Sequence, residues 1–125
     1  MATIKSYTDI EQSKVLATIL PIESADMFLA MNGILPVMSK YIDNGLVTAD
    51  ETAIPCWSLA SLLSVIPKRI KDYNVLRIDI NEKDTSIWYD DIGCGVNNEL
   101  PDITKETPID ACYEMILKLK ELNLL

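Results

Sequence analysis

Apolar residues in the first third of the chain recur at helical spacing and predict several short helices. The capping-box spacing of Thr8 and Glu11, with the apolar positions that follow, indicates a first helix over residues 9–20. A second helix is predicted over residues 24–31 and a third over residues 36–42, each followed by an Asn-Gly pair. The N-terminal part of the chain is therefore expected to be helical.

A more strongly marked helix is predicted over residues 59–66, after residues 48–51, which fit either a connection or one helical turn. Ser58 is a favourable N-cap for this helix, because its hydroxyl can accept a hydrogen bond from a backbone N–H of the first turn. Trp57 stands just before the cap, where a large apolar side chain packs against Leu62 as a hydrophobic staple. We favour this packing role for Trp57 over ligand binding.

The pattern then changes to alternation of apolar and polar positions, which is typical of strands. Residues 75–80 and 85–89 predict two antiparallel strands joined by a four-residue loop. The apolar residues of the first strand share one face, which we expect to be buried. Because neighbouring side chains on a strand point to opposite faces, Trp88 and Tyr89 lie on different faces, and we expect Trp88 to be unusually exposed.

Residues 90–105 have the composition of a loop with a short third strand, and a helix follows them. Thr107 is its predicted N-cap and Pro108 its first residue. One apolar stripe follows along this helix: Ile109, Cys112, Met115, Ile116, Leu119 and Leu122. Residues 1–125 are thus expected to form a single α+β domain, with several N-terminal helices, an antiparallel β-hairpin or three-stranded sheet, and a C-terminal amphipathic helix packed on it.

Composition agrees with a single domain, since 125 residues with 49% hydrophobic content can bury one core. The N-terminus lacks the apolar segment of a signal peptide, so we expect a cytoplasmic protein with no membrane contact. The net charge of −8 is regional: residues 79–114 hold ten acidic residues against two lysines, and the rest balances at nine against nine. This acidity disfavours nucleic acid and favours either a basic partner or solubility alone.

The residue types present exclude several kinds of chemistry. With no histidine, serine-histidine and cysteine-histidine catalysis and most zinc sites are excluded, and four glycines cannot form a standard phosphate-binding loop. Cys94, between two glycines, is the one thiol expected to be accessible, whereas the other two are expected to be reduced and buried. A carboxylate enzyme built on Asp26, Asp50 or Glu51 is a remaining alternative. No cofactor is expected.

The candidate working surface is the hairpin and the acidic segment after it. Trp88, Tyr89, Asp90, Asp91 and Glu99 are the candidate partner-binding residues, because aromatic side chains dominate interface energies and carboxylates would attract a basic partner. The same carboxylates could supply oxygen ligands to a cation, but their spacing fits no known calcium loop, so no metal site is predicted.

Three blocks of sequence resemble a family of small uncharacterised proteins encoded by gut Bacteroidales, often within phages or other mobile elements. The blocks are residues 7–14 (YTDIEQSK) with 23–27 (ESADM), residues 55–63 (PCWSLASLL) with Pro67, and residues 109–115 (IDACYEM). The resemblance covers about half of the chain and leaves out the hairpin and acidic segment. It implies a context and no activity, since small accessory proteins of mobile elements commonly bind other proteins.

The function predicted from the sequence is therefore a non-enzymatic accessory or regulatory protein that binds a protein partner, with a homodimer as a further expectation. The alternative is a small-ligand or metal-binding domain, with the ligand held near Trp57 or in the acidic loop.

Overall fold

A computed structural model of the chain describes residues 5–30, 36–38, 53–71, 74–91 and 100–125. These residues form helices and two antiparallel sheets, which confirms the predicted α+β class. They divide into two compact units, Ser6–Leu62 and Met1–Lys5 with Leu63–Leu125. That the two units form a single domain stays a prediction.

The first unit begins with helix α1, Ile10–Ala17, whose N-cap is Asp9. The Asp9 carboxylate accepts a hydrogen bond from the backbone N–H of Gln12 at 2.8 Å, and the Gln12 side chain accepts one from the backbone N–H of Asp9 at 3.2 Å. This capping box lies one residue later than predicted, because Thr8 is buried and its hydroxyl accepts a hydrogen bond from the backbone N–H of Trp57 at 3.0 Å. The helix is also shorter than predicted.

The second and third predicted helices are wrong, because short strands stand in their place. After a 3₁₀ turn over Ile22–Ser24, strand β1 spans Met27–Ala30 and strand β2 spans Pro36–Met38. Strand β3, Ala53–Cys56, completes an antiparallel sheet in the order β2-β1-β3. A four-residue apolar run satisfies helical and strand spacing equally well, so pairing with a distant strand decides its conformation. Residues 39–42 and 48–51 lie outside the described residues.

Helix α2 spans Leu59–Val65, close to its predicted bounds, and the boundary between the units falls within it. The Ser58 hydroxyl accepts a hydrogen bond from the backbone N–H of Ser61 at 3.3 Å, which confirms Ser58 as the N-cap. Trp57 and Leu62 are both fully buried, as a packing role for Trp57 requires.

The second unit contains a sheet of four antiparallel strands in the order β4-β5-β6-β7. Their bounds are Arg69–Ile70 for β4, Asn74–Ile80 for β5, Thr85–Asp91 for β6 and Asp102–Lys105 for β7. The β5–β6 hairpin and its loop confirm the prediction, and Asn81 shapes the loop by accepting hydrogen bonds from the backbone N–H groups of Lys83 and Asp84, both at 3.0 Å. The sheet has one strand more than predicted, since the two-residue β4 is too short to show alternation.

Helix α3, Pro108–Glu121, packs against β6 and β7, as predicted for the C-terminal helix. The Thr107 hydroxyl caps it by accepting a hydrogen bond from the backbone N–H of Asp110 at 3.1 Å. The predicted stripe is buried from Ile109 to Leu119, but Leu122 is 45% exposed and forms the C-cap. Among the residues that the structure describes, no helix is both long and apolar enough to cross a membrane.

Candidate partner-binding surface

The four-stranded sheet has two different faces. Thr85, Ile87 and Tyr89 of β6 are buried on the face that α3 covers, which we call the inner face. The alternate residues of β6 point to the opposite side, which we call the outer face. The strand register places these side chains on the outer face: Arg69, Val75, Arg77, Asp79, Ser86, Trp88, Asp90, Asp102 and Thr104. The outer face is therefore polar, apart from Val75 and Trp88.

Trp88 lies at the middle of the outer face. It stands directly opposite Arg77 of β5 on one side and Asp102 of β7 on the other. Its side chain is half-buried, so part of the indole is open to solvent, whereas Trp57 is fully buried. A large aromatic side chain between two charged neighbours on a polar sheet face is typical of a binding site more than of a core.

Among the described residues, some of the charged side chains around Trp88 form an ion pair and others do not. The Arg77 guanidinium lies 3.5 Å from a carboxylate oxygen of Asp90, and both side chains are half exposed, so this pair contributes little to stability. Asp79 and Asp102 have no ion-pair partner within the described part of the chain. Within the described part of the chain, the outer face therefore carries negative charge that no ion pair neutralises, and Asp102 is the acid directly beside the indole.

The other predicted site residues are not all on this surface. Tyr89 is on the inner face and buried, and its hydroxyl donates a hydrogen bond to the Pro67 carbonyl at 2.6 Å. Burial raises the pKa of the Tyr89 phenol above its ordinary value, so the hydroxyl remains a donor. Asp91 shares the inner-face side of the strand, and Glu99 lies outside the described residues. Of the four candidate residues that the structure describes, only Trp88 and Asp90 therefore lie together on the outer face.

The register also bears on metal binding, because Asp90 and Asp91 point to opposite faces of β6. These two carboxylates cannot both turn toward one cation while the strand keeps this conformation. No group of three or more metal-ligating acidic or cysteine side chains is present among the residues for which the structure gives positions.

Trp57, the candidate ligand-binding residue, offers no surface to a ligand. Its side chain is fully buried, and its indole N–H donates a hydrogen bond to the Ser24 hydroxyl at 2.9 Å. The indole N–H thus has its hydrogen-bond partner, and the apolar part of the side chain is removed from solvent.

No local sequence pattern predicts the hydrogen bonds that Asp26 forms beside Trp57. The Asp26 carboxylate accepts the Ser58 backbone N–H at 2.9 Å and also accepts the Ser58 hydroxyl. It thereby joins the residue before β1 to the N-cap of α2. Asp26 was a candidate catalytic carboxylate, but the structure gives it a capping partner, and Asp50 and Glu51 lie outside the described residues.

The two described cysteines are free thiols and fully buried, as predicted. Burial, with a smaller effect of the nearby Asp26 charge, raises the pKa of the Cys56 thiol to about 12. Burial raises the pKa of Cys112 to about 12 against the opposing effect of Lys68. Since the thiolate is the reactive form, neither thiol is activated as a nucleophile at neutral pH. Cys94 lies outside the described residues.

Comparison of the chain with protein-family models, curated proteins and solved structures found no significant match.

Proposed function

We propose that this chain is a non-enzymatic accessory or regulatory protein that binds a basic segment of a partner protein through the outer face of its four-stranded sheet. The observation that carries the proposal is the half-buried Trp88, which lies on a polar sheet face directly opposite Asp102, a carboxylate with no ion-pair partner among the described residues. An aromatic plane beside a free carboxylate suits a lysine or arginine side chain, which can stack on the indole and pair with the acid.

The energies favour Trp88 as the main anchor. Interface tryptophans are common hot spots, and truncating one that becomes fully buried costs about 2 kcal/mol or more, or roughly 30-fold in affinity. The carboxylates contribute mainly through long-range attraction, which increases the association rate and weakens with salt. Asp90 already pairs with Arg77, whereas Asp102, beside the indole, has no ion-pair partner among the described residues and is the acid we assign to the partner's basic side chain.

The same proposal includes a cytoplasmic location and, following the resemblance stated above, a phage or mobile-element origin. Support for a role without catalysis comes from the residues themselves. The chain has no histidine, and burial raises the pKa of both described thiols to about 12. Of the two places suggested for a small ligand, Trp57 is unfavourable because its side chain is buried and its N–H is hydrogen-bonded, and residues 92–99 of the acidic loop lie outside the described residues.

The test is affinity capture from cells that naturally produce the chain, with the wild type compared with two single variants by quantitative mass spectrometry. Trp88→Ala should lose the captured protein. Leu122→Ala, which truncates an exposed apolar side chain at the end of α3, should retain it. Raising the salt from about 0.05 M to about 0.5 M should also weaken capture. Equal capture by the wild type and Trp88→Ala would contradict the proposal.

A further inference from the structure

The described residues cover only part of one edge of the four-stranded sheet. The backbone N–H of Leu76 in β5 donates a hydrogen bond to the Lys68 carbonyl at 2.9 Å, and β4 pairs only with Asn74 and Val75. Beyond Leu76, no described strand pairs with β5 on this side. We call the backbone of residues 77–80 on this side the open edge.

The hydrogen bonds on either side show which backbone groups point to the open edge. Residues two apart on a strand direct their N–H and C=O groups to the same neighbour, so Ile78 and Ile80 point the same way as Leu76. Asn81 confirms the alternation, because its N–H points the other way and donates to the Asp84 carbonyl of the hairpin at 3.0 Å. Ile78 and Ile80 each offer one N–H and one C=O at the open edge.

The side chains here differ from those that usually protect an edge. Natural sheets cover or shorten their edges, or place lysine, proline or a bulge on them. Here Ile78 is 36% exposed and Ile80 is 55% exposed. Both lie on the inner-face side, beyond the part that α3 covers through β6 and β7. An incoming strand could therefore bury apolar side chains as well as form backbone hydrogen bonds.

A second copy of the same strand fits poorly in the two antiparallel registers that use most of the open edge and keep like faces together. Antiparallel pairing centred on Ile78 places Ile80 of the second copy opposite Leu76, where Lys68 already pairs. Shifting the centre to Asp79 avoids Lys68 but places the Asp79 carboxylates of the two copies opposite each other, which is destabilising. The occupant must instead carry a different residue opposite Asp79.

We infer that the open edge binds an extended segment of another protein, which adds as a further strand beside β5. The segment has aliphatic residues opposite Ile78 and Ile80 and a lysine or arginine opposite Asp79, which is exposed and has no ion-pair partner among the described residues. Main-chain hydrogen bonds supply affinity and the alternating side chains supply specificity. The inference rests on the proposed function, since the occupant is a protein partner, and adds a contact separate from Trp88.

The probe is a synthetic peptide, acetyl-Thr-Val-Lys-Val-Thr-amide, titrated into the ¹⁵N-labelled full chain. Saturable amide shifts centred on Ile78 and Ile80, with slower hydrogen exchange of the same two amides, are expected. Ile80→Lys should weaken binding at least tenfold. The matched control Ile22→Lys changes an isoleucine that is 47% exposed elsewhere and should leave binding unchanged. A peptide with glutamate in place of lysine should bind more weakly, because it meets Asp79.

Three results would overturn the inference: no shifts at these amides, amides already protected from exchange in the free chain, or shifts that depend on protein concentration without peptide. The second would mean that the rest of the chain covers the edge, and the third that a second copy does. Because Trp88→Ala removes the outer-face anchor and leaves the open edge intact, peptide binding to that variant separates the two proposals. If the peptide does not bind but capture of the partner still depends on Trp88, the edge inference is wrong and the proposed function stands.

Discussion

The hydrogen bonds between Asp26 and Ser58 lead us to expect that a single substitution, Asp26→Ala, lowers the free energy of unfolding substantially. The carboxylate accepts two hydrogen bonds from Ser58, one from its backbone N–H at 2.9 Å and one from its hydroxyl. Each hydrogen bond to a charged group contributes about 1.5–3 kcal/mol when buried. Both groups are only half-buried, so we expect the lower part of this range, with a total of about 2–3 kcal/mol for Asp26→Ala.

The measurement is urea unfolding in a Trp88→Phe background, in which the tryptophan fluorescence comes from Trp57 alone, fully buried next to Ser58. Ser58→Ala removes the hydroxyl bond and the N-cap of α2, and should cost about 1–2 kcal/mol. Because the two substitutions remove a shared bond, their effects should fall short of additivity by about 1 kcal/mol in a double-mutant cycle. Glu23→Ala, a change of an exposed acid in the same unit, should stay within about 0.5 kcal/mol. A loss below about 0.5 kcal/mol for Asp26→Ala, or strict additivity with Ser58→Ala, would refute the reasoning.

Three further predictions concern the cores and the two tryptophans. Leu119→Ala should destabilise the chain by about 2–5 kcal/mol in urea unfolding, whereas Leu122→Ala, at a position 45% exposed, should cost less than about 1 kcal/mol; equal losses would contradict the burial of the α3 stripe. The raised pKa of about 12 for both buried thiols means that the unfolded chain loses their protons first, so stability is retained below pH 9 and falls above it. The free energy of unfolding should fall by at most about 1.4 kcal/mol per pH unit for each thiol, and the fall should be smaller in Cys112→Ala. A flat profile from pH 9 to about 11 would contradict the raised pKa of the thiols. Acrylamide should quench the fluorescence of the Trp57→Phe variant, which reports on Trp88, more strongly than that of Trp88→Phe, which reports on Trp57. The reverse order would contradict the burial of Trp57.

The parts of the fold that the sequence predicts well are those whose signals are local. Thr107, Pro108 and the apolar stripe start and orient α3 within a single stretch of chain, and alternation marks β5 and β6 in the same way. Strand β1 has no such local signal, because its four apolar residues form a strand by pairing with Pro36–Met38 and with the distant Ala53–Cys56. The Asp26–Ser58 bond likewise joins residues 32 positions apart, so no local pattern reports it.

That the candidate residues bind a partner stays a prediction, but the strand register shows which of them share a face. Trp88 and Asp90 share the outer face, but grouping Tyr89 and Asp91 with them ignored the alternation that the strand prediction itself required. The exposure of Ile78 and Ile80 could not be predicted, because their face was expected to be buried. These two side chains are exposed because they lie beyond the part of the sheet that α3 covers. Tertiary packing decides where that cover ends, and no local pattern reports it.

Photo-crosslinking from the outer face beside Trp88 tests the proposed binding surface most directly. The photoreactive residue p-benzoylphenylalanine replaces Thr104, an exposed outer-face residue of β7, in cells that naturally produce the chain, and the exposed Lys120 of α3 is replaced in a control strain. The account predicts a covalent adduct with one protein from position 104, competed by a lysine-rich peptide, and none from position 120. No adduct from position 104, or the same adducts from both positions, would contradict it.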